Sequence, residues 1–209
     1  MWFVLTADQH ASRTRGDRVP AVLKDLHAWA RTHGATVALP AERTVGDEIQ
    51  LVLTEAEAAV DLALRLCRRG EWAVGLGAGD VDEPLGESAR ASSGPAFVHA
   101  REAVERARGR GEPVPLVAAG ERHEAAADAT AVLQLLGAVV RRRSDAGWEV
   151  SDLLTDGVTQ RSVAATLGIS EQAVSQRVRS AMLEEERRAR PVAAGLLRRA
   201  GGGKEKRGT

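Results

Sequence analysis

The tetrapeptide Leu167-Gly168-Ile169-Ser170 constrains this chain more than any other stretch, because it joins two helical patterns with almost no room for a loop. Upstream, Val163, Ala164 and Leu167 fall on one helix face; downstream, Val174 and Val178 do the same. Gly168 predicts the end of the first helix, since a residue without Cβ enters the left-handed region freely. Ser170 predicts the N-cap of the second, its hydroxyl accepting from an amide two or three residues on. Small Ala164 beside Gly168 lets the two helices cross closely, as a helix-turn-helix requires. The second helix turns Glu171, Gln172, Ser175, Gln176 and Arg179 away from its apolar pair, and these are side chains that can hydrogen-bond base edges or phosphates.

From Thr159 to Met182 the wording TQRSVAATLGISEQAVSQRVRSAM resembles the bacterial helix-turn-helix of sigma region 4 and of small winged-type regulators that read promoters. The resemblance implies double-stranded DNA as a partner. It implies contacts from Thr159, Gln160 and Arg161 at the front of the first helix, and from Ser170, Glu171, Gln172, Ser175, Gln176, Arg177 and Arg179 on the second. A plain helical hairpin would show the same apolar spacing. Charge narrows the mode of binding: 29 Lys and Arg balance 29 Asp and Glu. That excludes a globally basic, histone-like protein and requires any DNA reader to concentrate positive charge locally. Arg141-Arg142-Arg143 is one such run, fit for phosphate contact or for a solvated helix end. Glu184-Glu185-Glu186 would repel phosphate and so restricts contacts to the front of the reading helix.

The chain before residue 120 follows another pattern. Aromatics are 3% of the residues, so the core must lean on Leu, Val and Ala. Trp2 to Ala7 reads as a buried strand and Val19 to Ala30 as an amphipathic helix ending near Gly34. Thr36–Leu39 and Ile49–Leu53 read as strands around the turn signal Val45-Gly46-Asp47-Glu48, Ala59–Cys67 as a helix ended by Gly70, and Trp72–Gly77 as a strand. This order predicts a ferredoxin-like α+β domain, its helices packed on one face of an antiparallel sheet. A third helix opens at Gly94-Pro95-Ala96, and Val114–Ala118 is a last strand. The expected boundary lies at 120–124. It separates an α+β domain, 1–119, from an all-α helix-turn-helix domain, 125–200, followed by a disordered tail, 201–209. Within the second domain, Ala129–Arg143 is a helix whose apolar face exceeds what one small unit buries, which predicts a homodimer. Pro191 is expected to interrupt the charged segment after Met182, leaving a short helix from Ala193 to Ala200. Cys67 is alone and reads as a small core residue. No apolar run approaches the length of a membrane span and no signal-peptide pattern opens the chain, so a cytoplasmic protein is expected.

Residues 2–118 carry a second resemblance, through Leu5-Thr6-Ala7-Asp8, Arg43-Thr44-Val45-Gly46-Asp47, Val74-Gly75-Leu76-Gly77 and Gly94-Pro95-Ala96-Phe97. These are similar to the palm of nucleotide cyclases and GGDEF proteins, and the whole arrangement resembles the SatD family of bacterial proteins. The cyclase likeness implies that Asp8 and Asp47 hold a divalent metal, Mg2+, against a purine nucleotide, with Arg43 where a base-reading lysine often stands. The chain departs from the pattern where cyclases carry the asparagine and arginine that stabilise the transition state. Val98 and Glu102 stand there, and neither can stabilise developing negative charge. Three classes follow: a DNA-binding transcriptional regulator with a degenerate, nucleotide- or metal-sensing palm; a nucleotide-metabolising enzyme with an accessory helix-turn-helix; and a module that binds the transcription machinery. The helix-turn-helix wording favours the first, and no catalytic residue is assigned.

Overall fold

The computed structural model describes residues 1–10, 16–155 and 157–202. It is an α+β fold in which five strands and eight α-helices follow one another as β1 (Trp2–Gln9), α1 (Val19–Thr32), β2 (Val37–Arg43), β3 (Glu48–Leu53), α2 (Ala56–Arg69), β4 (Trp72–Gly79), α3 (Pro95–Arg108), β5 (Leu116–Gly120), α4 (His123–Arg142), α5 (Asp145–Leu153), α6 (Gln160–Leu167), α7 (Glu171–Ser180) and α8 (Leu183–Ala200). The sheet order is β2-β3-β1-β4-β5; β4 and β5 run parallel and every other neighbour is antiparallel. Of the tail expected at 201–209, Gly201 and Gly202 form a turn after α8 and the rest lies outside the described residues.

Strand alternation sorts the side chains onto two unlike faces. Phe3, Leu5 and Ala7 of β1 join Ile49, Leu51 and Leu53 of β3 and Val74 and Leu76 of β4 under α1 and α2 in the main core. The opposite face carries Val4 and Val52 with Ala96 and Ala100 of α3. The two helices of the strand-helix-strand-strand-helix-strand unit, α1 and α2, share one face, and the later α3 takes the other. The reason lies in β4: a Cβ on Gly75 would stand 2.3 Å from the Val104 amide nitrogen, and one on Gly77 would stand 2.1 Å from the Ala96 carbonyl oxygen. Bare strand backbone lets α3 settle directly onto the sheet through Ala96, Ala100, Ala103 and Ala107, all buried. The alternating glycines read as the mark of a helix laid on a strand.

The helices after β5 do not form one separate bundle. Ala129, Leu133, Leu136 and Val140 of α4, and Ala193, Ala194, Leu196 and Leu197 of α8, belong to the same core as α1 and α2. Only α5, α6, α7 and the first turn of α8 have a core of their own, formed by Val150, Leu154, Val163, Ala164, Val174, Val178, Ala181 and Leu183. The expected boundary at 120–124 is only the two-residue link Glu121–Arg122 between β5 and α4, which returns the chain to the main core, and the small unit of α5, α6 and α7 is inserted between α4 and α8. The apolar face of α4 that predicted a homodimer is covered within the chain, by α8, β5 and α2. On α4, Leu135 is the exposed large apolar residue.

Pro191 does not break α8, which runs unbroken from Leu183 to Ala200. A proline inside a helix costs about 3 kcal/mol, because its missing N–H and its ring both disturb the preceding turn. The helix is held on both sides of it, by ion pairs of Glu186 and Arg190 before and by the buried Ala193–Leu197 face after. Among the described residues no helix is long and apolar enough to cross a membrane.

Candidate nucleic-acid interface

The joint between α6 and α7 takes the form its residues predict. Thr159 caps α6 by accepting from the Ser162 amide at 3.2 Å. Gly168 ends α6 in the left-handed region at φ 65°, and the Ile169 amide donates to the Ala164 carbonyl. Ser170 caps α7 by accepting from the Ala173 amide at 3.1 Å. Val163 and Ala164 meet Val174 and Val178 in the small core, with Leu167 and Ile169 half-buried at its edge. Each cap satisfies an amide that would otherwise be orphaned, and each contributes about 1 kcal/mol to an otherwise short helix.

With Val174 and Val178 turned inward, Glu171, Gln172, Gln176 and Arg179 are exposed along one side of α7, and Ser175 is half-buried beside them. Arg179 lies along the helix, its Nη1 3.2 Å from the Ser175 hydroxyl. At the front of α6, Thr159 and Arg161 are exposed and Gln160 is half-buried; the Arg161 guanidinium lies 3.7 Å from the Glu171 carboxylate. Of the ten residues expected at the interface, seven are thus exposed, Ser170 at the turn among them, and Gln160 and Ser175 are half-buried. Arg177 is set apart, because it turns back onto α5 and donates to Glu149 at 2.9 Å.

The basic run at the end of α4 divides. Arg141 and Arg142 are exposed, whereas Arg143 is buried and out of reach of any phosphate. Its guanidinium donates twice to the Ala181 carbonyl, at 3.2 and 3.1 Å, pairs with Glu186, and stands 4.3 Å over the Trp148 ring. Ala181 closes α7, and the next residue, Met182, turns through the left-handed region at φ 52° before α8 begins. Arg143 thus pins the carbonyl at the end of α7 to the end of α4. Glu186, one of the three acids expected to repel phosphate, is buried in that staple together with Arg143. Its spacing from Arg190, four apart on one helix face, marks that ion pair in the sequence but not the one with Arg143.

In the α+β part, the residues expected to bind a nucleotide gather at one end of the sheet. Asp8 of β1 stands opposite Glu48 of β3, two residues along from the pair Thr6 and Gln50, which share a 2.9 Å hydrogen bond. Burial pushes the Asp8 carboxyl above the ordinary carboxylate range; Arg108 of α3, 3.2 Å away, opposes this, and the neighbouring Asp47 and Glu48 add to it. Arg43 does not reach into the group. It pairs with Asp17 at 2.8 Å and donates to the Gly46 carbonyl in its own hairpin. Asp17 lies below the usual range through that hydrogen bond from Arg43 and a second from the Val19 amide. Val98 and Glu102 are both exposed on α3. Among the described residues no three His, Cys, Asp or Glu side chains are placed to hold a metal ion, and Asp8 already faces a guanidinium. The Asp8 carboxylate that would hold Mg2+ is thus already taken up by an ion pair, which does not suit a metal site.

Compared with family models, with curated proteins and with solved structures, the chain matches none. The functional reading therefore rests on the geometry of α6 and α7. Cys67 takes no part in it: the thiol is buried in the main core against the Gly137 carbonyl, and burial pushes it up to about 11.

Proposed function

We propose that this protein is a sequence-specific, DNA-binding transcriptional regulator, reading the major groove with α7 and carrying a degenerate cyclase-like, ferredoxin-like palm of the SatD kind. The observation that carries the reading is the pairing of two capped helices across a three-residue turn with a polar row, Gln172, Gln176 and Arg179, left open on α7. Gln pairs bidentately with adenine and Arg with guanine or phosphate, so the row has the chemistry of base readout. Thr159, Arg161 and Ser170 frame it with groups suited to the phosphate backbone. The palm is read as a sensing or assembly body, because Val98 and Glu102 replace the groups that would stabilise a phosphoryl transition state and Arg108 occupies Asp8.

Duplexes selected from genomic fragments, followed by binding across a salt series, test this reading. Wild type should show a steep fall of affinity with salt. Gln176→Ala should relax preference at one base pair by about 1–3 kcal/mol, and Arg179→Ala should weaken all sequences while lowering the salt slope by about one. Neither side chain packs in a core, so both variants should melt like wild type. Unchanged affinity and unchanged preference in both would show that α7 is not the reader.

A further inference from the structure

Between α2 and the reading unit lies a cavity of about 440 Å³, walled by α2, α4, α5 and α8. Its polar wall holds four guanidinium groups, those of Arg65, Arg68, Arg187 and Arg190, and its apolar wall is made by Leu64, Val140 and Leu183. We propose that this cavity binds a small organic anion: a phosphate or carboxylate, held by the arginines, on a short apolar body. The proposal does not depend on DNA binding.

The counter-charges around the cavity fall short. Asp61 serves Arg65 at 2.9 Å and Arg190 at 2.7 Å, and also accepts from the Trp29 indole at 2.9 Å. Glu186 serves Arg190 at 2.9 Å and Arg143 behind it. Three guanidinium groups thus share two carboxylates. Arg187 is worse provided: it donates to the Leu154 carbonyl, and the exposed Glu184 lies 3.7 Å away. Arg68 alone is matched, by a bidentate pair with Asp152 at 2.7 and 2.8 Å. A surplus of positive charge set against an apolar wall, where water screens poorly, favours an anion. Each guanidinium has five N–H donors, so those already paired retain donors for a ligand oxygen. A volume of this size lies within the ordinary range for small-molecule sites.

Calorimetric titration of the full chain at fixed ionic strength tests the proposal, with phenyl phosphate, benzoate and inorganic phosphate as probes. The first two separate a phosphate preference from a carboxylate one; the third removes the apolar body. At least one organic anion should bind saturably at one site with Kd of about 1 mM or tighter. Inorganic phosphate should bind about tenfold more weakly, because no ring leaves water against Leu64 and Val140. Arg65 and Arg187 are both about half exposed, so Arg65→Gln with Arg187→Gln should fold and weaken binding about tenfold or more. Asp152→Asn releases Arg68 and should tighten binding about threefold, the opposite of what structural damage would do. Arg106→Gln, on the far face of the sheet, should change nothing. Absence of saturable binding by either organic anion, inorganic phosphate binding as tightly as both, or a double variant that binds like wild type would each overturn it.

Discussion

Glu186 and Asp8 are buried to nearly the same depth, 4% and 6% exposed, yet the protein surrounds them in opposite ways. Both oxygens of Glu186 meet guanidinium groups, and one of these, Arg143, is itself buried, with a side chain 1% exposed. Among the described residues Asp8 meets one guanidinium, that of Arg108, whose side chain is 53% exposed, and it shares its end of the sheet with two like charges. Depth alone does not decide what a buried carboxylate does; the number of buried counter-charges does. Asp61 shows the balance from the other side. Burial pushes its carboxyl up, but Arg65 and Arg190 outweigh that and hold it below the usual range. Asp61 thus contributes stability that is present above the ordinary carboxylate value and lost as pH falls through its own lower one. Asp8 has the reverse sign: its charged form is disfavoured in the fold, so it erodes stability as pH rises through its raised value.

Removing Glu186 should have the largest effect. Glu186→Ala leaves Arg143 buried with only the Ala181 carbonyl and the Ser151 hydroxyl, and takes a carboxylate from Arg190. Stripping one partner from a buried pair costs about 3–5 kcal/mol. Urea denaturation at neutral pH should show the loss, and hydrogen exchange should show it concentrated at Ala181 and Met182. A cost below about 1 kcal/mol would mean that Glu186 is no more than a surface acid.

The same contrast explains what the sequence displays and what it hides. The α6–α7 joint was legible because each of its parts is local: Gly168 at the turn, Ser170 and Thr159 as caps, and apolar residues at helical spacing. The strand and helix order of the first 118 residues was legible for the same reason. The side of the sheet taken by α3 was not, because it follows from Gly75 and Gly77 meeting Ala96 and Ala100 across the fold. Nor was the return of α4 and α8 to the main core, since an amphipathic helix does not name the face that covers it. The burial of Glu186 was hidden as well, because its partner Arg143 lies 43 residues away in sequence. Pairwise electrostatics between distant segments is the part that composition and periodicity do not carry.

Asp8→Asn should act in the other direction from Glu186→Ala and more weakly. It removes a charge that burial disfavours and that Asp47 and Glu48 repel, while keeping the shape and a hydrogen-bonding side chain. The variant should be more stable than wild type at pH 7 by roughly 0.5–2 kcal/mol. As pH falls below the raised Asp8 value, wild type protonates this group in the fold as well, and the advantage should disappear. A destabilised variant at pH 7 would show that the ion pair with Arg108 outweighs the burial, and that Asp8 belongs with Glu186 after all.

The smallest effect isolates that ion pair. Arg108 is half in solvent, so screening limits what it contributes, and Arg108→Gln should cost less than about 1 kcal/mol at pH 7. The cost should vanish at acid pH, where Asp8 is neutral and has nothing to gain from a cation. It should vanish at pH 7 as well when Asp8→Asn is already present, because the charge that Arg108 offsets at 3.2 Å has gone. A double-mutant cycle over Asp8 and Arg108, measured by urea denaturation at neutral pH and again at acid pH below the raised Asp8 value, reads both conditions. A coupling that persists unchanged at the lower pH would place the contribution of Arg108 in packing over α3, and would remove the electrostatic contrast between Asp8 and Glu186.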